Sequence, residues 1–356
     1  MMKAVVSNPG VSMRQLEIVR FGSTDVMQIR EVPIPVPGEG EVLVKVHSIG
    51  INFADIFARQ GYYPGIPRPP FVPGLEFSGV VAAVGRKVRS LPAGTRVLGF
   101  SRLGAYAEFV CVPESHVTRM PPKMTFDQGA AIGVTFLTAY HGLLTLGHVK
   151  KGEKLLLHAA AGGVGTAALQ IAKHLGVHVF ATVGSDSKID VVRELGADSI
   201  INYSNDDFAE HIRRETNGTG VDVVLDSIGG RVMRKGWGLL APMGRYILFG
   251  FAAASGPKGI SKLRALTEAA SVPVLFPASL VSKNVTFSGF NLFFLFEKTD
   301  YLRQAMKTML AWYRQGIVKP IIGGTFPFER MGDAHAFLQS RKSIGKVVVT
   351  IEQKPN

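Results

Sequence analysis

Apolar and polar residues alternate in short runs over the first 125 positions, at 14–20, 28–32, 41–49, 76–84, 96–100 and 107–112, with Gly and Pro between them. Alternation with period two predicts half-buried strands, and their close spacing predicts a barrel-like all-β unit. The pattern changes near Phe126. From there, stretches with apolar residues three and four apart alternate with short apolar runs, which predicts helices between buried strands. The predicted strands are 154–158, 178–183, 199–202, 222–226, 245–249 and 285–290. The predicted helices are 127–146, 164–175, 187–195, 206–216 and 232–240. Six strands with helices between them read as a doubly wound parallel sheet, an α/β fold. Two further helices, 300–316 and 331–340, and a last strand, 346–351, are expected to pack back on the β-rich unit. Residues before Met13 lack any such pattern and read as an unstructured lead-in.

Residues 158–170 read HAAAGGVGTAALQ, a glycine turn between a strand and a helix. After Gly162, the N–H groups of Gly163, Val164 and Gly165 open that helix, where backbone donors and the dipole favour a pyrophosphate. Gly-rich turns also occur wherever a helix packs closely on a strand. Here the β-α units continue downstream, as a dinucleotide-binding sheet requires. Ser227, Phe249, Gly250 and Phe251 stand at the carboxyl ends of the fourth and fifth strands, and Phe290 follows the sixth; open α/β sheets bind ligands at such ends.

Hydrophobic residues make up 46% of the 356 positions and charged residues 19%, as in an ordinary globular chain of about two domains. One cysteine, Cys111, excludes an intramolecular disulfide and every multi-cysteine zinc site, and it reads as a small buried hydrophobe. Cysteine usage and a start without a signal-peptide apolar region suit the cytoplasm. The net charge is +13, but its basic residues are dispersed in pairs such as Arg86-Lys87 and Arg213-Arg214. No nucleic-acid partner is expected; the charge reads as a basic surface with a phosphorylated cofactor among its anionic ligands. The longest apolar stretches, 269–282 and 284–296, are split by Lys283, so no transmembrane helix is expected.

The strings GINFAD (50–55), PGLEFSGVV (73–81), GAYAEFV (104–110), LTAYHGL (137–143), HAAAGGVG (158–165) and INY (201–203) occur in that order. Together they resemble the medium-chain dehydrogenase/reductase superfamily, and within it the zinc-free quinone oxidoreductase branch. The stretch from SIGG (227–230) through APMGRYILFG (241–250) is most similar to the vesicle amine transport protein relatives in that branch. The resemblance implies a GroES-like β-barrel catalytic domain (1–127 and 291–356) and a Rossmann NADP(H)-binding domain (128–290). It also implies an NADPH-dependent, zinc-independent oxidoreductase that passes hydride to a quinone or an α,β-unsaturated carbonyl. A homodimer through strand 285–290 is implied as well.

Positions matching the catalytic zinc ligands of alcohol dehydrogenases hold Asn52, Leu75 and Val134. Leu and Val cannot donate to a metal, and one amide oxygen does not make a site, so no metal is expected. Without a Lewis acid an alcohol is hard to activate for hydride loss, whereas a quinone or polarised C=C accepts hydride with milder help. At the end of the second strand stands Val183-Gly184-Ser185, where NAD enzymes place an acid for the ribose 2′-OH. The resemblance implies that Lys188 and Tyr203 contact the adenosine 2′-phosphate, which Ser185 would not repel. Asp186, one step further on, departs from that pattern.

Thr138 matches a position near the cofactor phosphates, or is an ordinary buried helical threonine. Asn52, Asp55 and Tyr63 match residues lining the nicotinamide and substrate cleft, and are the catalytic candidates. Asn52 is expected to orient the nicotinamide or bond a substrate carbonyl, and Tyr63 to do the latter or relay a proton. Asp55 reads equally as a structural cap. Arg341 matches a basic position near the cofactor phosphate, or faces a helix dipole. Glu76 reads as structural, and His141 and His158 as core groups. A second reading is an NADPH-binding membrane-surface or interaction protein with little turnover, with apolar segment 265–296 as a substrate, dimer or lipid contact.

Overall fold

The computed structural model describes residues 12–256, 259–260 and 262–352. The chain divides into two compact units. The β-rich unit holds the described residues up to Thr135 together with 293–314 and those from Pro320 on; the other holds 136–292 and 315–319.

In the β-rich unit, the strands Ile322–Pro327, Lys346–Thr350, Glu41–Ile51, Glu76–Val84, Arg96–Phe100 and Val117–Arg119 lie side by side in that order. Phe109–Pro113 pairs with Glu41–Ile51 as the seventh strand. Glu41–Ile51 carries three neighbours because its 11 residues serve Phe109–Pro113 at one end and Lys346–Thr350 at the other. Register shifts at Leu43/Val44 and Val46/Ser48 bend it, as bulges do. Val44, Val46, Ile49, Phe77, Val97 and Val349, all fully buried, fill the core. The tail folds back as expected: helix Met331–Gln339 packs on this core and Lys346–Thr350 joins the sheet. Ser12–Ile18 and Met27–Pro33 form a separate ribbon. The expected lead-in lies outside the described residues, apart from Ser12, which opens that ribbon.

The second unit is a doubly wound sheet of six parallel strands, numbered here within the unit: β1 (Lys154–Leu157), β2 (His178–Val183), β3 (Ser199–Asn202), β4 (Val221–Asp226), β5 (Leu240–Leu248) and β6 (Thr286–Gly289). Their spatial order is β3-β2-β1-β4-β5-β6, which places a topological switch between β1 and β4. Leu155, Leu156 and Leu157 of β1 are all fully buried, because a central strand covered by helices has no solvent face. Gln170 ties residues 315–319 to this unit: its amide donates to Lys319 O at 3.1 Å and accepts from Lys319 N at 2.7 Å.

Three features depart from the pattern reading. The seven-residue helix Phe53–Arg59 follows strand Glu41–Ile51 directly, too short to show a period. Strands Val117–Arg119 and Ile322–Pro327 went unmarked, the latter carrying two glycines. The longest apolar stretch is neither 269–282 nor 284–296. It is Phe126–Leu146, an α-helix that ends in a π turn and is long and apolar enough to span a membrane. Scattered Thr residues hide its hydropathy from a count of unbroken apolar residues. Of its most apolar stretch, 72% is buried inside the protein, as in a core helix. Residues 269–282 instead lie across two exposed helices, Lys262–Ser271 and Pro277–Lys283.

Candidate active site

Helix Phe53–Arg59 begins at Asn52, whose backbone is extended. Asp55, three residues on, accepts the Asn52 N–H at 2.7 Å, the carboxylate half of a capping box. The cap reading of Asp55 is therefore realised in the geometry. The same side chain is fully buried, and burial pushes its pKa up to about 7 against the Asn52 N–H bond and the charge of Lys346. Asp55 and Tyr63 line one small pocket with Leu75, Arg102 and Phe293. Tyr63 stands edge-on to Phe293 at 5.5 Å, and Arg102 lies over the same ring at 5.3 Å.

Behind that pocket runs a buried polar network. Lys346, 3% exposed, donates to Asn52 Oδ1 at 2.5 Å and to Glu76 Oε1. Asn52 Nδ2 donates to Glu76 Oε1 at 3.0 Å and to Gly50 O at 3.2 Å. Glu76 Oε2 accepts the Val134 N–H at 2.7 Å. Glu76 is thus the structural acid the sequence indicated. On the far side, Tyr106 hydrogen-bonds both Asp55 and His335, the latter at 2.9 Å. Burial lowers the His335 pKa to about 3, with Arg59 nearby adding to the effect.

In the second unit, β1 leads into Ala159, a non-glycine residue with φ +54°, and then into helix Gly163–Leu175. Ala160, the first small residue of the motif, is not left-handed. A Cβ on Gly165 would lie 2.4 Å from Ala159 O and 2.5 Å from Ala160 O, so glycine is required there. The first-turn N–H groups of Gly163, Val164 and Gly165 have no helical carbonyl below them. At the tip of β2, a Cβ on Gly184 would lie 2.5 Å from the Tyr203 hydroxyl. Ser185 and Lys188 share the single turn that follows.

Across the switch, Asp226 at the end of β4 accepts from Ile228 N, Gly229 N and the Tyr246 hydroxyl. That pins the Ser227 loop, and a Cβ on Gly250 would meet Ser227 O at 2.8 Å. Phe249 stacks on Phe290 at 5.8 Å, and His141 stands edge-on to Phe290 at 4.7 Å. Phe251 is 59% exposed, so it is not a core residue. Thr138 is buried in its helix. Arg341, in the β-rich unit, is exposed with φ +61° just past the C-terminus of Met331–Gln339. Cys111 is half-buried rather than buried, and burial holds its thiol up at about 11.

A family profile described as alcohol dehydrogenase GroES-like domain matches residues 38–122, and one described as zinc-binding dehydrogenase matches 195–349. The chain is 39% identical over 344 residues to the synaptic vesicle membrane protein VAT-1 homolog of Danio rerio, covering 95% of this chain and 70% of that protein. It is 32% identical to the quinone oxidoreductase of Sus scrofa, covering 95% and 98%. The Escherichia coli quinone oxidoreductase solved with NADPH matches with a TM-score of 0.85 at 30% identity, covering 95% and 99%. The chain belongs to the zinc-free quinone oxidoreductase and VAT-1-like branch of the medium-chain dehydrogenase/reductases. It is an NADPH-dependent oxidoreductase of that family.

The Rossmann unit of this oxidoreductase fits NADP(H). Its glycine turn leaves a cradle at Gly165 that a Cβ would fill, three helix N–H groups face the turn, and the tip of β2 carries Ser185. A catalytic zinc does not fit: of the three matching positions two are aliphatic, and the amide oxygen of the third already accepts from an ammonium. Among the described residues no group of three His, Cys, Asp or Glu comes together in metal-binding geometry.

Sequence reasoning missed Lys346, Tyr106, His335 and Arg102. Lys346 left one faint signal: it opens KVVVTI, a strand apolar on both faces, where a lysine has no solvent side to point to. For the other three no local signal exists, because their partners lie far away in the chain.

Proposed function

We propose that this oxidoreductase transfers hydride from NADPH to a quinone or an α,β-unsaturated carbonyl held in the pocket of Asp55 and Tyr63. The observation that carries the reading is the ammonium of Lys346 on Asn52 Oδ1, at a position matching a zinc ligand of alcohol dehydrogenases. A fixed cation there disfavours a metal and supplies no open coordination site, which points to acceptors that carry their own polarised carbonyl.

When bound, NADPH supplies the hydride. On the reading offered here, Gly162, Gly163, Val164 and Gly165 hold its pyrophosphate, and Ser185, Lys188, Tyr203 and Arg341 its adenosine phosphate. Thr138, Ser227, Phe249, Gly250, Phe251 and Phe290 border it at the strand ends. The cofactor domain is taken as the unit of 136–292 with 315–319, in place of 128–290, and the catalytic domain as the β-rich unit. Asn52 offers its remaining Oδ1 lone pair to an N–H or O–H, and Tyr63 its hydroxyl to a carbonyl oxygen. Asp55, its pKa raised to about 7, exchanges a proton readily at neutral pH, in a pocket where an enolate would need one. Its carboxylate is then reprotonated from solvent.

The test is NADPH consumption over a panel of quinones, enones and enoyl thioesters, and NADP+ reduction by a panel of alcohols, each with and without a chelator. Turnover of quinones or enones that is indifferent to chelation supports the proposal. Turnover of alcohols alone, lost with chelation, rejects it.

One observation favours the second reading, an NADPH-binding membrane-surface protein with little turnover. Leu263, Leu266, Val274, Phe276 and Val281 are each at least 65% exposed on the successive helices Lys262–Ser271 and Pro277–Lys283 and the segment joining them. Retention on liposomes with no acceptor reduced would select it. The cytoplasm is the proposed compartment and a homodimer the proposed assembly.

A further inference from the structure

We infer that Asn202 sets the cofactor preference by holding Asp186 out of the adenosine corner; this rests on the reading that Lys188 and Tyr203 meet the 2′-phosphate. Strands β2 and β3 run parallel, with Asn202 opposite Val183 at their carboxyl ends. Past that pair, one strand turns through Gly184-Ser185-Asp186 and the other through Tyr203-Ser204, so both tips border the same corner.

Asn202 is 7% exposed, and its amide bridges the two tips. Nδ2 donates to Asp186 Oδ1 at 2.7 Å, and Oδ1 accepts the Ser204 N–H at 3.0 Å. Only one orientation of the amide satisfies both partners. Turned over, its oxygen would face a carboxylate oxygen and its NH2 would face an N–H. The Ser204 hydroxyl donates to Gly184 O at 3.1 Å and draws the tips together a second time.

Asp186 is the one carboxylate of the β2 tip, two residues from Lys188 and exposed. A carboxylate in this neighbourhood either takes the ribose 2′-OH, as in NAD enzymes, or repels a 2′-phosphate. Bonded to Asn202, it has one oxygen occupied and its position fixed, which on this inference keeps the charge clear of the 2′ position. A sequence carrying an acid near the NAD position therefore behaves as an NADP binder, because a buried amide on the neighbouring strand occupies that acid.

The experiment is a fluorescence titration of NADPH and NADH binding to the full chain and to Asn202→Ala, Asp186→Asn and the double variant, with Tm recorded for each. Asn202→Ala is expected to shift the NADPH-to-NADH affinity ratio about tenfold toward NADH, since tenfold corresponds to about one charge-assisted contact. Asp186→Asn alone should leave the ratio nearly unchanged, and added to Asn202→Ala it should restore the ratio. A purely structural role for Asn202 predicts equal weakening of both cofactors and no rescue, which overturns the inference. If Asn202→Ala does not fold, Asn202→Ser, with its shorter reach, takes its place under the same criteria. Lys188→Ala in parallel separates the two claims. An unselective loss there removes the reading of the corner and this inference with it. A selective loss there with an unselective Asn202→Ala removes this inference alone.

Discussion

The Nζ of Lys346 lies 2.5 Å from Oδ1 of Asn52, across 294 positions of sequence. With both Asn52 amide hydrogens given to Glu76 and Gly50, the side chain retains one lone pair and no donor. An asparagine so placed accepts a hydrogen bond from a ligand but cannot give one to a carbonyl. In this geometry Asn52 does not bond a substrate carbonyl, and the role left to it is to accept from an N–H or O–H.

Lys346→Met should destabilise the protein by about 3–5 kcal/mol, because it leaves the Glu76 carboxylate buried without its cation. Adding Glu76→Gln should recover much of that loss. Urea midpoints of the single and double variants check it, and a single variant within experimental error of the parent would contradict it.

Asp55 and His335 should tilt stability against pH in opposite directions. The Asp55 pKa rises from 3.8 to about 7 on folding, so its contribution is full below about pH 4 and is lost as pH climbs to 7. The His335 pKa falls from 6.5 to about 3, so its contribution is full above about pH 6.5 and is lost as pH drops to 3. Asp55→Asn should therefore gain most relative to the parent at about pH 8, and His335→Gln at about pH 4. Denaturation curves at those two pH values decide both signs.

Lys188→Ala should weaken NADPH about ten- to a hundred-fold and leave NADH nearly untouched, the worth of one charge-assisted contact of roughly 1.5–3 kcal/mol. Steady-state KM values for the two cofactors read this directly.

Gly165→Ala places a methyl 2.4 Å from Ala159 O, so the turn must open. A cost of about 1–3 kcal/mol in stability is expected, together with a clear loss of NADPH affinity. Isothermal titration and thermal unfolding measure the two parts.

Strand β6 ends the sheet with Phe287 on its face and only β5 beside it. An open edge of this kind suits pairing with a second copy, closing at a dimer. Sedimentation at micromolar concentration should give twice the chain mass, and a monomer would reject the proposal.

The doubly wound sheet was legible because each of its strands is a separate apolar run. β2 and β3 fall on the residues the pattern indicates, and β4 differs by one residue at its start. β5 begins earlier, at Leu240, where a register shift against β4 and the left-handed Met243 break the apolar run. The glycine turn was legible for a local reason too: Gly165 answers to carbonyls five and six residues before it. What stayed hidden is long-range. The bond between Tyr106 and His335 spans 229 positions, and neither residue carries a mark of burial in its own surroundings. Asp55 shows the intermediate case, since its cap is readable from Asn52 but its raised pKa depends on the distant residues that bury it.

The ammonium of Lys346 is a charge written into the chain. It arrives with folding, it cannot be exchanged for another ion, and scarcity of a trace element leaves it untouched. The same permanence limits it, because an ammonium wrapped by an amide and a carboxylate has no vacant orbital to offer an incoming oxygen. At the position of Asn52, a protein built around such a charge has no place left for an exchangeable ion.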